Sequence, residues 1–349
     1  MRIGMVTQQA DPSHPLLGFT VAWIEVLASR LEALHLVTLS APRCDLPSNV
    51  FSDHMGKGSG KLRMVLRYWA ILRRILPRID ALFCHMVPRY AWLAAPLARL
   101  HGVPIVLWYV HRHVGAELRA ALAVARAVAT ADLSSFPLRS SKVRVLGHGI
   151  DATRFAPDSS MLLDSPPLIV QVARLTPIKH QETLIRASAK LNMPHQIALI
   201  GDVPEGHDAA YAERLRQLTV ALGIAERIHF TGALPQAEVI AWYRRATLAV
   251  NLSPRGLFDK AALEAMLCGL PTVVSNSAFD SLLADHAERL RINAPDDVDG
   301  LAQRLEALLR TDSVERQALG AALRKRTHAA HSLDGLADRL MKLFREVSR

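Results

Sequence analysis

Short apolar runs alternate along this chain with longer segments in which apolar positions recur every three or four residues. The short runs fit strands buried on both faces and the longer segments fit helices covering them, so the alternation predicts parallel sheets between helical layers. In the first half the predicted strands are Ile3–Val6, Leu36–Leu39, Ala81–Cys84 and Ile105–Tyr109, with helices at Thr20–Leu34, Ala91–Leu100 and Gly115–Val128. The pattern pauses at Asp151–Pro167, where Pro and Ser punctuate the chain as at a domain boundary. It resumes with strands at Leu168–Val172, Gln196–Ile200, Arg227–Phe230, Leu248–Leu252 and Thr272–Val274, and helices at His180–Lys190, Asp208–Leu222, Gln236–Arg245 and Lys260–Cys268. Beyond Asp296 it is wholly helical, ending in an amphipathic segment, Leu333–Glu346. The expected fold class is α/β, with two Rossmann-like doubly wound domains, 1–160 and 161–330, facing a cleft, followed by a terminal helix over 331–349. Open α/β sheets take ligands outside the carboxyl ends of their strands, so function is sought on strand-to-helix loops.

Composition narrows the partners. The 349 residues are 50% hydrophobic and 21% charged, a globular balance. Lys and Arg number 42 against 32 Asp and Glu, and the formal +10 favours anionic partners. Aromatics at 5% are thin for base-stacking platforms, and with no recognisable module nucleic acid is not expected. Cys44, Cys84 and Cys268 form neither a disulfide framework nor a Cys-x-x-Cys zinc site, which suits a reducing, cytoplasmic setting. The start, MRIGMVTQQADPSH, reads as a buried strand rather than a secretory signal.

Two stretches carry chemistry. In Val170–Ile185, VQVARLTPIKHQETLI, a strand ends in Arg174 and a loop delivers Lys179 just ahead of a helix. A planar guanidinium and a mobile ammonium in that setting make a diphosphate clamp, or alternatively two solvated loop cations. In Ala249–Ser275, AVNLSPRGLFDKAALEAMLCGLPTVVS, a loop containing Gly256 precedes a helix. Free backbone N–H groups at a helix start favour a phosphate. Glu264, one turn inside that otherwise apolar helix, suits a ribose; the bland alternative is an ion pair with a neighbouring base.

With these stretches in view, the chain resembles a family-four glycosyltransferase of the GT-B architecture, group 1 type. The family's VGRLxxxKG stretch corresponds to Val172–His180, its GDGP turn to Gly201–Pro204, its VxFxG stretch to Ile228–Gly232 and its LEAMACGxPVV stretch to Leu263–Val274. The first half matches more loosely, through Gly18 and the GHGID turn at Gly147–Asp151. The resemblance implies that Arg174 and Lys179 hold a donor diphosphate and that Glu264 binds the nucleotide ribose. It places Thr231 and Gly232 near the base, and Gly18, Ser253, Gly256, Leu257, Phe258, Asp259 and Lys260 around the donor. His111, expected at a strand's carboxyl end, joins Arg174 and Lys179 as catalytic. The implied reaction is retaining transfer from a nucleoside-diphosphate sugar to a glycan or lipid-linked acceptor, with no cofactor and no obligatory metal. The terminal helix is expected to cross back to the first domain.

One departure stands out. The family pairs two glutamates eight positions apart, and here the first position is Gly256, with Asp259-Lys260 between it and Glu264. Either Asp259 or Lys260 takes over sugar or phosphate contacts, or the chain is a catalytically silent nucleotide-sugar-binding partner subunit. A GT-B sugar-nucleotide epimerase or phosphorylase is a further alternative. His111-x-His113 lacks an evident third metal ligand, His148 between glycines reads as structural, and Asp11 and His14 are acceptor candidates on loop position alone.

Seven basic residues and no acid occur between Asp53 and Asp80. On a helix Arg63, Arg67 and Arg74 fall within about 40° of one another, beside a broad apolar face of Leu62, Val65, Leu66, Trp69, Leu72 and Leu76. Such a helix suits an anionic membrane surface, here the inner face, or a lipid-diphosphate acceptor; the plain alternative is a packed helix with a solvated basic edge. GKGSGKL at Gly56–Leu62 lacks P-loop spacing, and Asp297-Val298-Asp299 reads as a helix cap rather than a metal motif.

Overall fold

The computed structural model describes all residues except 15–16, 112, 159, 162, 205–208 and 349. Asp208, where a helix is expected to begin, and Arg112 lie outside the described residues. The chain divides into two units, Met1–Gly149 with Ala330–Arg349, and Ile150–Ala329. The division falls ahead of the expected 160 because the Pro- and Ser-rich segment is tied to the second unit: Arg244 Nε donates to the Ala156 carbonyl at 2.9 Å and Arg324 Nη1 to that of Phe155 at 3.0 Å.

The first unit holds seven parallel strands: β1 (Arg2–Val6), β2 (Ala33–Thr38), β3 (Val50–His54), β4 (Ala81–His85), β5 (Ile105–Trp108), β6 (Ala127–Thr130) and β7 (Val143–Val145), in the order β3-β2-β1-β4-β5-β6-β7. Successive strand residues point to opposite faces. Ile3, Met5, Phe83, Val106 and Trp108 therefore join one core cluster, while Val6, Leu82, Cys84, Ile105 and Leu107 join another. The first cluster is closed by α1 (Phe19–Ala28) and the C-terminal helix Leu333–Val347, through Trp23, Ile24 and Leu27 against Leu336, Leu340 and Phe344. Arg30 fastens the edge of that packing, with Nε 2.7 Å from Asp338 and Nη2 3.0 Å from Asp334. The second cluster is covered by α2 (Lys61–Ile75), α3 (Pro88–Leu100) and α4 (Ala116–Val124).

Two predicted helices of the first unit are too long. The Thr20–Leu34 segment stops at Ala28, and residues from Ala33 onward pair with β1 instead. Gly115–Val128 divides into α4 and β6, an alanine-rich run whose helix propensity yields at Ala127–Thr130 to pairing with β5 and β7. The edge strands β3 (VFSDH) and β7 (VRV) have no apolar run to announce them.

The second unit is a five-stranded parallel sheet of β8 (Leu168–Val172), β9 (Gln196–Ile200), β10 (Ile228–Gly232), β11 (Leu248–Asn251) and β12 (Thr272–Val274), ordered β10-β9-β8-β11-β12. Its crossovers include α5 (Gln181–Ser188), α6 (Ala210–Ala221), α7 (Gln236–Arg245) and α8 (Lys260–Leu267). Helix Val298–Arg310 starts with Asp297 Oδ1 accepting the Gly300 N–H at 2.8 Å, so the Asp-Val-Asp sequence caps a helix.

Candidate functional site

Neighbouring strands β8 and β11 send their following loops out side by side at the carboxyl edge of the second sheet. The loop after β8 is held by glutamine amides: Gln171 Nε2 donates to the Lys179 carbonyl at 2.7 Å and Gln181 Nε2 to the Arg174 carbonyl at 2.8 Å. Its last residue, His180, sits at φ +52° and starts α5. So fixed, the loop reaches Lys179 across to β11. Lys179 Nζ lies 2.9 Å from Ser253 Oγ and 2.5 Å from Asp259 Oδ2. The same Asp259 oxygen accepts from Ser253 Oγ at 2.8 Å and from Asn251 Nδ2 at 3.2 Å. Burial alone would push the Asp259 carboxyl up; the Lys179 charge and the hydrogen bonds from Lys179, Ser253 and Asn251 outweigh it and hold the carboxyl below its usual range. Arg174, by contrast, is exposed, and among the described residues no side chain pairs with its guanidinium.

The loop after β11 is braced from β12. Asn276 Nδ2 donates to the carbonyls of Pro254 and Leu257, each at 3.1 Å, and Ser275 Oγ donates to that of Ser253 at 3.2 Å. Phe258 packs on Phe279 with ring centroids 4.7 Å apart. Gly256 turns this loop at φ +83°, a conformation L side chains adopt only under strain. Asp259 occupies the N-cap position of α8, yet its side chain makes no capping bond, being spent on Lys179. The first N–H groups of α8 are thus left for another acceptor. One turn apart on α8 stand Lys260 and Glu264. Burial lowers the Lys260 ammonium and raises the Glu264 carboxyl, each opposed by the other's charge. Thr231 and Gly232 end β10 on the same edge, two strands from β8, where the Gly232 carbonyl accepts the Gly201 N–H at 3.0 Å.

The remaining candidates belong to the first unit. Gly18 opens α1, where an added Cβ would come 2.7 Å from the Pro12 carbonyl oxygen. His111 follows β5, exposed, its ring 5.9 Å from that of Tyr109. On α2, Tyr68 Oη donates to the Tyr90 carbonyl and Trp69 Nε1 to that of Leu93, each at 3.0 Å, and these bonds set which face is inward. Tyr68, Leu72 and Ile75 are buried, whereas Leu62 and Leu66, expected on the apolar face, are 74% and 56% exposed beside Arg63 and Arg67. Arg74 pairs with Asp53 of β3. Among the described residues no three His, Cys, Asp or Glu side chains converge as a metal site would require, and no helix is long and apolar enough to cross a membrane.

The family model described as Glycosyl transferases group 1 matches residues 166–311, within the second unit. A GDP-mannose-dependent alpha-(1-6)-phosphatidylinositol monomannoside mannosyltransferase of Mycolicibacterium smegmatis is 30% identical over 309 residues, covering 75% of this chain and 78% of that protein. This chain belongs to the group 1 glycosyl transferases. A D-inositol 3-phosphate glycosyltransferase 2 of Catenulispora acidiphila is 32% identical over 148 residues, 38% of this chain; the match spans only 34% of that relative, about a third of its length. Among solved structures, sucrose-phosphate synthase from Thermosynechococcus elongatus superposes with a TM-score of 0.77 at 17% identity over 99% of both chains. Anabaena HepE in complex with UDP and glucose gives 0.74 at 17% identity over 99% of this chain and 100% of that one. At that identity the likeness shows the fold, which is GT-B.

At Gly256, where the resemblance led one to expect a glutamate, the loop backbone is one that an L side chain would strain. Sequence reasoning reached Lys179, Ser253 and Asp259 separately and missed their mutual contact. It also missed Asn251, Asn276, Gln171 and Gln181, which orient the loops. A polar residue inside, ending or just past a buried strand, as at Gln171, Asn251 and Asn276, was the available signal: a buried amide needs partners, and the nearest unsatisfied groups are loop carbonyls.

Proposed function

We propose that this chain is a retaining glycosyltransferase that moves a sugar from a nucleoside-diphosphate sugar to a glycan or lipid-linked acceptor without a metal. The observation that carries the reading is the convergence, at one sheet edge, of the β8 loop cations Arg174 and Lys179, the uncapped start of α8 and the Glu264 carboxyl one turn further on. The leaving diphosphate gains charge as the glycosidic bond breaks, and fixed cations with helix N–H groups stabilise it; one such donor is worth about 2.7–4 kcal/mol. Glu264 takes the ribose hydroxyls, and Thr231 and Gly232 flank the base. In this reading Lys260 holds Glu264 rather than the sugar. The GDP-mannose-dependent relative and the structural neighbour in complex with UDP differ in base, so the test below spans both.

The acceptor side is proposed to meet an anionic membrane surface through α2. Its outward face carries Leu62, Leu66 and Ala70 flanked by Arg63, Arg67 and Arg73, a combination that gains both from burial of the leucines and from anionic headgroups. A partner subunit without turnover is the second reading, favoured by Gly256 and by the Lys179–Asp259 pair. The test is donor turnover in EDTA with lipid-extract acceptors and UDP-, GDP- and ADP-sugars, reading the product's anomeric configuration by NMR. Product with the donor's configuration supports the proposal. Inverted product refutes retention, dependence on added divalent ion refutes the metal-free scheme, and tight diphosphate binding without turnover favours the silent subunit.

A further inference from the structure

The carboxylate of Asp259 sits inside what is otherwise an anion site, and nothing in the diphosphate reading calls for a negative charge there. It does not cap its own helix. It receives three donors on one oxygen, from Lys179, Ser253 and Asn251, of which Ser253 also contacts Lys179. Lys179 and Asp259 side chains keep 13% and 20% of their surface open, so the pair is reachable from the loop mouth rather than sealed in a core. An ammonium has three protons; two point at Ser253 and Asp259, which leaves one for an incoming phosphate.

Resting on the donor-binding reading above, we propose that Asp259 is a positioning residue, holding the Lys179 ammonium against Ser253 and competing with the donor diphosphate for it. Two consequences follow from elementary electrostatics. The held ammonium is pre-aimed, so the residue adds order to the clamp. Its negative charge also lies within a few ångströms of where the diphosphate binds, so it weakens the hold on substrate and product alike and lets the spent nucleoside diphosphate leave. A like charge at about 6 Å in a partly solvated site opposes binding enough to change affinity by roughly an order of magnitude.

The experiment compares wild type with Asp259→Asn and Asp259→Glu by two readouts. The first is the acetylation rate of Lys179 with acetic anhydride, followed by peptide mass spectrometry and independent of any donor. The second is calorimetric affinity for UDP, GDP and inorganic pyrophosphate. The expected result is that Asn raises Lys179 acetylation about tenfold and tightens diphosphate binding about fivefold or more, while Glu restores both toward wild type. Unchanged acetylation in Asp259→Asn would overturn the holding role. Faster acetylation with equal or weaker diphosphate affinity would overturn the competition and return Asp259 to direct donor contact. Faster acetylation when neither protein binds any diphosphate would instead bring down the donor-binding reading, and the competition with it. If the Asn variant does not fold, the Glu variant still decides: its longer arm must keep Lys179 protected.

Discussion

Two cation-bearing regions of the chain use their charge in opposite ways. At the carboxyl edge of the second sheet, Lys179 is bound on two sides and the loops around it are tied by Gln171, Gln181, Asn251 and Asn276. On α2 of the first unit, Arg63 and Arg67 stand in solvent beside exposed leucines. A buried pair fixes geometry at a cost in desolvation, so its loss is felt in stability and in ligand position together. Exposed cations contribute little to stability, and their use is toward a partner. A cationic side chain therefore marks two kinds of function, distinguishable by whether neighbours already spend its charge.

The comparison can be broken most decisively at Lys179. Lys179→Ala leaves Asp259 without its cation; thermal unfolding should show a loss of about 2–3 kcal/mol, and calorimetry a drop in nucleoside-diphosphate affinity of at least tenfold. On α2 the same kind of change should spare the fold. Replacing Arg63, Arg67 and Arg73 together by Gln should cost about 1 kcal/mol of vesicle affinity per residue at low salt, with the melting temperature nearly unchanged. Equal sedimentation of parent and variant with anionic vesicles would remove the membrane role.

Smaller effects sharpen the picture of the loops. Restoring the family glutamate, Gly256→Glu, places a side chain at φ +83° and should destabilise by about 1–2 kcal/mol without raising turnover. Glu264 ionises above the ordinary carboxylate range of about 4.3, so its ribose-accepting form is lost earlier as pH falls. Nucleoside affinity in wild type should therefore weaken on acidification from about pH 8 to pH 5 more steeply than in Glu264→Gln, the variant serving as control for protonation of the diphosphate itself. His180, held at φ +52° where the family has glycine, should give the smallest change: His180→Gly relieves αL strain and raises stability by a few tenths of a kcal/mol up to about 1.

Legibility in the sequence followed the same division. Strands of the second unit were readable because β8 (LIVQV), β9 (QIALI) and β11 (LAVN) are mostly apolar and sit at its buried centre, and the motif stretches lie on the loops after them. In the first unit α4 and β6 share one alanine-rich run, and only tertiary pairing places the break between them. The outward turn of Leu62 and Leu66 was hidden for a related reason: helical spacing gives the relative angles of side chains, whereas the hydrogen bonds of Tyr68 and Trp69 to α3 set the absolute rotation. At the site, single residues were legible and their pairing was not, because Lys179 and Asp259 meet through adjacent parallel strands 80 positions apart.

The central claim is that the Arg174 and Lys179 loop binds the donor's diphosphate, and it is tested most directly by titrating wild type, Arg174→Ala and Lys179→Ala with UDP, GDP, ADP and CDP at fixed salt. The account predicts one diphosphate that wild type binds well and both variants bind at least tenfold more weakly, in line with about 1.5–3 kcal/mol for each charged hydrogen bond lost. Undiminished affinity in both variants would contradict it.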